Sequence, residues 1–318
     1  MIDGFRRAIG EVVERLGAVI AGTGVEVVRR YRGTGTGIQT GVSVTKSAEA
    51  GGRADIDREN REVRAEAAGT GGASSRLMSV DELTTRILAA ERSGEPELRT
   101  PDHMFSMNSE TDLFVYPDGF EVVRKVGLAP AQRSAEILAA AVGRAIGAPV
   151  APVVAGTHDS VLMQRLPGRI EPGTTDDPGA REAMKALADT PGARKLGLLD
   201  VLVRNWDRPG NWLRDGDRVY GFDHAEAFRA DRDFESESNP FTSHYGAPGA
   251  PDTGRWNEWK PNDLSRAELD RYEAEIVALR PLFEEHARLD WATGGQPLAW
   301  HDGVLSRLGT VREHATRP

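Results

Sequence analysis

One stretch constrains this chain more than any other: Asn205 to Phe228, N-W-D-R-P-G-N-W-L-R-D-G-D-R-V-Y-G-F-D-H-A-E-A-F. Asp215-Gly216-Asp217 is a hairpin turn signal. It predicts one strand over Trp212 to Arg214 and a second over Arg218 to Phe222. Closing that turn puts Asn211 opposite Tyr220 or Phe222, according to register. Asp223 then lies within a residue or two of Asn211, at about 3.4 Å per residue. A carboxylate and an amide therefore meet at the open end of one hairpin, with Asp207 on the loop leading in. Oxygen donors of this kind suit Mg²⁺, which takes one or two carboxylates together with substrate phosphates. Singly, each of these residues would serve as a turn or cap residue; their order in one run is what points to a metal site.

The chain has 318 residues, enough to bury a sizeable core, with 39% hydrophobic residues and a mean hydropathy of −0.44. A net charge of −9 argues against a general nucleic-acid-binding surface. There is no cysteine, which excludes disulfides and thiol chemistry. No apolar run approaches the ~18 residues of a membrane span. No apolar h-region follows Met1-Ile2-Asp3-Gly4, so no signal peptide is expected, and the expected location is the cytoplasm. Of the 40 basic residues only five are lysines: Lys46, Lys125, Lys185, Lys195 and Lys260. Arginine supplies the generic positive charge, so a lysine inside a strand stands out.

Met1 to Ala21 reads as an amphipathic helix that docks on the body of the protein or on a partner chain. Val25 to Tyr31 reads as a strand. Gly33 to Ser75 has little to bury and reads as linker, with a short helix in Ile56 to Ala67. Val80 to Arg92 is a helix capped by Ser79 or Asp81. The boundary of an N-terminal extension falls near residue 100. Beyond it, Leu113 to Tyr116, Pro-Asp-Gly and Phe120 to Val126 form a hairpin, with Lys125 on its second strand. Pro130 to Ile146 is an alanine-rich helix. Val150 to Ala155 and Ser160 to Arg165 make a second strand pair. Helices over Thr175 to Ala188 and Ala193 to Val203 deliver the chain to Asn205. Asp231 to Gly254 is a polar loop, packed down by Trp256 and Trp259. Ser265 and Glu268 form a capping box for a helix with Leu269, Tyr272, Ile276 and Leu279 on one face. Pro281 breaks it, and a further helix runs to Leu289.

The run N-x-D-R-x-x-N, followed by a hairpin and by Phe222-Asp223-His224 and Phe228, resembles the catalytic segment of atypical kinases of the phosphatidylinositol 3-/4-kinase-like and HipA-like families. The resemblance covers residues 105 to 228. It implies an α+β, two-lobed protein-kinase-like fold: a small lobe over 101–168, a larger and mainly helical lobe over 169–318, and an extension over 1–100. It also implies roles. Asp207 takes the acceptor hydroxyl's proton, and Arg208 beside it aids the transferring group. Asn211 and Asp223 hold Mg²⁺. Lys125 orients the phosphates of ATP, and Glu136 is its ion-pair partner; a lysine amid Val122, Val123 and Val126 is partly buried and needs one. Ser106 and Asn108 belong to the turn over the phosphates. Met163, Gln164 and Leu166 form the hinge whose backbone meets adenine. His224 stands where typical protein kinases have the phenylalanine of D-F-G.

Three features depart from the family pattern. Asp207 and Asn211 are four positions apart where the family has five. Pro209 stands where the family has histidine after D-R. The phosphate turn lacks glycines. The function implied is Mg²⁺-dependent transfer of the γ-phosphoryl of ATP to a hydroxyl of a protein, a peptide or a small molecule. Two alternatives stand beside it: a nucleotide-binding or scaffold module without turnover, and an unrelated Mg²⁺-dependent hydrolase or nucleotidyl transferase.

Overall fold

The computed structural model describes residues 26–34, 37–45, 76–99, 110–156, 159–170, 178–229, 239–245, 264–292 and 295–315. The helices expected over 1–21 and 56–67, Ser106 and Asn108, and Trp256 and Trp259 lie outside the described residues. Two units are distinguished. In the first, β1 (Glu26–Thr34) pairs antiparallel with β2 (Gly37–Thr45), from Glu26 opposite Thr45 to Thr34 opposite Gly37. The stretch expected as linker from Gly33 onward thus contains a strand.

The second unit begins with α1 (Val80–Ser93). Its capping box is complete: Ser79 Oγ accepts from Glu82 N–H at 3.1 Å, and the Glu82 carboxylate accepts from Ser79 N–H at 2.6 Å. Then come β3 (Glu97–Arg99), β4 (Glu110–Val115), β5 (Glu121–Val126), α2 (Pro130–Ala145), β6 (Val153–Ala155) and β7 (Val161–Gln164). The five strands form one antiparallel sheet, ordered β3-β4-β5-β7-β6. β3, just before residue 100, pairs with β4. The β4–β5 turn uses Gly119 at φ +81°, and Asp118 Oδ1 accepts from Phe120 N–H at 3.0 Å.

Register sets the two faces of the sheet. Val123 pairs with Met163 and Lys125 with Val161, so these four share one face; Val122 and Leu162 share the other. α1 is anchored by Arg86, which pairs with Asp118 at 2.8 Å and lies 5.0 Å from the Phe120 ring centroid.

The larger lobe contains β8 (Arg169–Ile170), α3 (Pro178–Leu187), α4 (Pro191–Val203), β9 (Trp212–Asp215), β10 (Arg218–Gly221), a 3₁₀ turn (Pro240–His244), α5 (Arg266–Ala278), α6 (Arg280–Ala287) and α7 (Gln296–Ala315). β10, β9 and β8 form a small antiparallel sheet. Pro281 sits in the first turn of α6, where its missing N–H costs nothing, and the α5–α6 break falls at Leu279. α2 buries Leu138, Ala139, Val142 and Ile146 in the core of this larger lobe, with Leu196 and Leu199 of α4 and Tyr272 and Ile276 of α5. Gly143 permits that approach: a Cβ there would lie 2.7 Å from Val150 and 2.9 Å from Leu199. Among the described residues no helix is long and apolar enough to cross a membrane.

Candidate active site

Four elements bring the site together. β5 carries Lys125, α2 carries Glu136, the loop after α4 carries Asp207 and Asn211, and the chain leaving β10 carries Asp223. Gly221 pairs with Trp212 across the hairpin, so Asn211 falls opposite Phe222; Phe222 N–H donates to Asn211 O at 3.2 Å. Gly216 turns the hairpin at φ +64°. The shortened loop closes on itself. Asn211 N–H donates to Arg208 O at 2.8 Å across Pro209-Gly210, a β-turn with proline at its favoured second position. Asn211 Nδ2 donates to Asp207 O at 2.6 Å and to Asp207 Oδ2 at 3.0 Å. The amide thus orients the Asp207 carboxylate and keeps its own Oδ1 as an acceptor.

Lys125 is buried, 5% exposed, and its Nζ lies 2.7 Å from Glu136 Oε1 and 2.5 Å from Asp223 Oδ1. Glu136 is wholly buried, and its Oε2 accepts from His224 N–H at 2.8 Å. Burial alone would lower the Lys125 pKa; Glu136 and then Asp223 outweigh it and hold the ammonium up to about 12. Burial alone would raise Glu136, but Lys125 and His224 together outweigh it and keep the carboxyl below its usual range. Asp223 is raised, by burial and then by the charge of Glu136, against the pull of Lys125. Asp207 is pushed up to about 6, by burial and next by the charge of Asp223.

Negative charge is therefore in surplus, with one ammonium among several carboxylates. Among the described residues, both bonds that Asp223 accepts, from Lys125 Nζ and from Ala225 N–H at 3.4 Å, fall on Oδ1, and Asp223 Oδ2 and Asn211 Oδ1 remain for another ligand. Among the described residues no three of His, Cys, Asp and Glu make a complete metal cage. One carboxylate, one amide oxygen and uncompensated charge fit a hard divalent cation that completes its shell with phosphate oxygens and water.

Arg208 does not face this site. It is fully buried, and its guanidinium is committed to the protein. Nε donates to Asp200 Oδ2 at 3.0 Å and Nη2 to Asp200 Oδ1 at 2.8 Å. Nη1 donates to Asn211 O at 2.6 Å and Phe222 O at 3.0 Å. Nη2 also lies 2.9 Å from His224 Nε2. A guanidinium has only donors, so Nε2 accepts and His224 carries its proton on Nδ1. The expected contact of Arg208 with a transferring group is corrected: it is the scaffold of the loop. The Gln164 side chain accepts from Met78 N–H and donates to Arg76 O, each at 2.8 Å, which ties the segment before α1 to the sheet and leaves the expected role of its backbone untouched. Met163 and Leu166 lie in an apolar cluster with Leu113, Val123 and Phe222, on the Lys125 face of the sheet.

Several residues at the site were not anticipated. Asp200 of α4 is fully buried and accepts from Arg208, from Asn205 Nδ2 at 3.0 Å and from Asn239 Nδ2 at 2.8 Å. Its signal was an aspartate inside the apolar run L-L-D-V-L-V, where a carboxylate needs partners. Gln132 Nε2 of α2 donates to Glu226 Oε1 at 2.8 Å, a second tie between α2 and the Asp223 segment. Arg204, Asp223 and Phe228 have left-handed backbones, at φ 52°, 53° and 63°. Such strain in non-glycine residues gathers at functional sites. Phe228 is held there by its N–H on Val203 O at 2.6 Å and by stacking on Trp300 at 4.8 Å.

No family model and no curated protein matches this sequence. Solved structures similar to it include the Helicobacter pylori proinflammatory kinase CtkA, 14% identical, covering 69% of this chain and 96% of that one, with a TM-score of 0.45. The Golgi casein kinase solved with Mn/ADP is 12% identical, covering 73% and 75%, with a TM-score of 0.40. HipA of Shewanella oneidensis MR-1 is 13% identical, covering 76% and 74%, with a TM-score of 0.36.

Proposed function

We propose that the chain is an ATP-dependent phosphotransferase acting on a hydroxyl acceptor. The observation that carries this reading is the buried chain Glu136–Lys125–Asp223 set beside Asp207 and Asn211. A cation to orient phosphates, oxygen donors for a divalent metal and a carboxylate of raised pKa stand together. Phosphoryl transfer asks for positioning and electrostatics rather than covalent help from the protein. Asn211 Oδ1 and Asp223 would hold Mg²⁺, which when bound neutralises phosphate charge. Lys125 orients the phosphates, and Glu136 fixes Lys125. Asp207, oriented by Asn211 Nδ2, receives the acceptor's proton as the hydroxyl oxygen bonds to the γ-phosphorus and the bond to the β,γ-bridging oxygen breaks, releasing ADP. An Asp207 pKa near 6 suits a base working close to neutrality.

One observation favours a second reading, a nucleotide-binding module without turnover. Lys125 is bonded directly to Asp223, so the phosphate-orienting cation and a metal-holding carboxylate neutralise each other in this state. Transfer of labelled γ-phosphate from ATP with Mg²⁺ separates the two. Label moved by the wild type and lost in Lys125→Met, Asp207→Asn and Asp223→Asn is the expected result. ATP binding with no transfer selects the module. Neither binding nor transfer refutes both readings. The acceptor is a hydroxyl-bearing protein, peptide or small molecule.

A further inference from the structure

We infer that His224 is a positioning residue that registers the Asp207–Asn211 loop to the Lys125–Glu136 pair; the inference rests on the phosphotransfer reading above. The loop and the lysine come from different lobes, and two buried side chains join them. Arg208 holds Asn211 O and Phe222 O through Nη1, and Asp200 through Nε and Nη2. That fixes the loop to α4 and to the end of β10. Arg208 also donates from Nη2 to His224 Nε2 at 2.9 Å. His224 in turn gives its backbone N–H to Glu136 Oε2 at 2.8 Å, and its Nδ1 lies 3.8 Å from the same oxygen. The imidazole is 2% exposed, so no water replaces it as the partner of Arg208. The chain of contacts runs Asp200–Arg208–His224–Glu136–Lys125. Its links to α4 and the loop pass through the guanidinium, and those to α2 and β5 pass through His224.

An acceptor at the Nε2 position is therefore required: an apolar side chain at 224 would leave one Nη2 N–H unpaired in a buried site, and the guanidinium would re-seat on its remaining partners. Since Nη1 of the same planar group holds Asn211 O, that shift moves the loop. Misplacement of about 1 Å costs on the order of 10²-fold in rate, without removing any group that binds ATP. His224 thus acts on kcat more than on ATP affinity.

The test compares His224→Gln with His224→Met in the full chain. The two side chains are alike in length and flexibility; only glutamine offers an acceptor oxygen near the Nε2 position. Turnover, KM for ATP, directly measured ATP binding and thermal unfolding are recorded for each. The expected result is a fall in kcat of about 10- to 100-fold for methionine with ATP binding within about 3-fold of wild type, and recovery to within about 3-fold by glutamine. Val311→Ala, in the α7 core away from the site, supplies a control of comparable melting loss and should keep its kcat. Equal turnover in the methionine and wild-type proteins overturns the inference. So does a glutamine protein no better than the methionine one, or an equal loss in the Val311 control. If the methionine protein does not fold, His224→Asn replaces it, since its amide is too short to reach Arg208. A wild type that binds ATP without transferring phosphate, or does not bind it at all, refutes the phosphotransfer reading itself, and the inference with it.

Discussion

Replacing Arg208 by alanine is expected to destabilise the protein by about 3–5 kcal/mol, the usual cost of removing one partner of a buried ion pair. The structure sets this magnitude. Arg208 and Asp200 are both fully buried and joined at 2.8 Å, so the truncation strands a carboxylate where water does not reach. It also removes the donor to Phe222 O and one of the two donors to Asn211 O, which keeps only Phe222 N–H. Asn205 and Asn239 still donate to Asp200, which keeps the loss from exceeding that range. For a unit of this size each kcal/mol moves the melting temperature by about 2–4 °C, so a drop of about 10 °C is expected, read by calorimetry and by urea unfolding at equilibrium. Asp200→Asn should cost less, because the amide keeps an acceptor oxygen for the guanidinium. Combining the two changes should give a double-mutant coupling above about 1 kcal/mol. A melting shift below about 2 °C for Arg208→Ala, or additive energies in the cycle, would refute the assignment of Arg208 as scaffold and reopen its role at the reacting group.

Three further outcomes are expected. In the metal- and nucleotide-free protein, the Asp207 side-chain carboxyl should titrate near pH 6, read by carbon NMR, against 3.8 for an ordinary aspartate; its pKa is raised in the folded state, so it takes stability away as pH rises from about 4 to about 6. Glu91, raised to about 7 by burial, works in the same direction, so Glu91→Gln should raise the melting temperature at pH 8 and lose that advantage toward pH 4.5. Gly197→Ala puts a Cβ 1.8 Å from Phe241 O; displacing the 3₁₀ turn from α4 should cost about 1–3 kcal/mol or more by urea unfolding.

How far the site was legible depends on whether its geometry is local. Asn211 and Phe222 meet because a two-residue turn fixes their register, and the turn is written in Asp215-Gly216-Asp217. Lys125 in a valine strand announced a buried cation, and burial demanded a carboxylate. Arg208 was misread because its neighbour Asp207 faces the site, and adjacent loop residues need not point the same way. What decided its direction was Asp200, eight residues upstream in the helix that delivers the chain to Asn205. α7 was missed although Val304, Leu308 and Val311 recur at helical spacing and are buried. Gly303 and Gly309 interrupt that pattern and lower the local propensity, and packing on the core outweighs them.

The placement of α2 bears on how the site is held. Its carboxylate serves a lysine on the small-lobe sheet, yet its apolar face is buried in the core of the larger lobe. Two polar rungs add to that attachment: Gln132 to Glu226, and Ser134 Oγ to His286 Nδ1 of α6 at 2.8 Å, both partners buried in the second case. Moving α2 away from the larger lobe would expose Leu138, Val142 and Ile146 together, at about 1.5–3 kcal/mol for each fully buried side chain, before any polar loss. A displacement costing several kcal/mol is thermally rare. The Lys125–Glu136 pair is therefore maintained by the fold itself, and under the proposed phosphotransfer the contact that would yield to a nucleotide is the more exposed one, between Lys125 and Asp223.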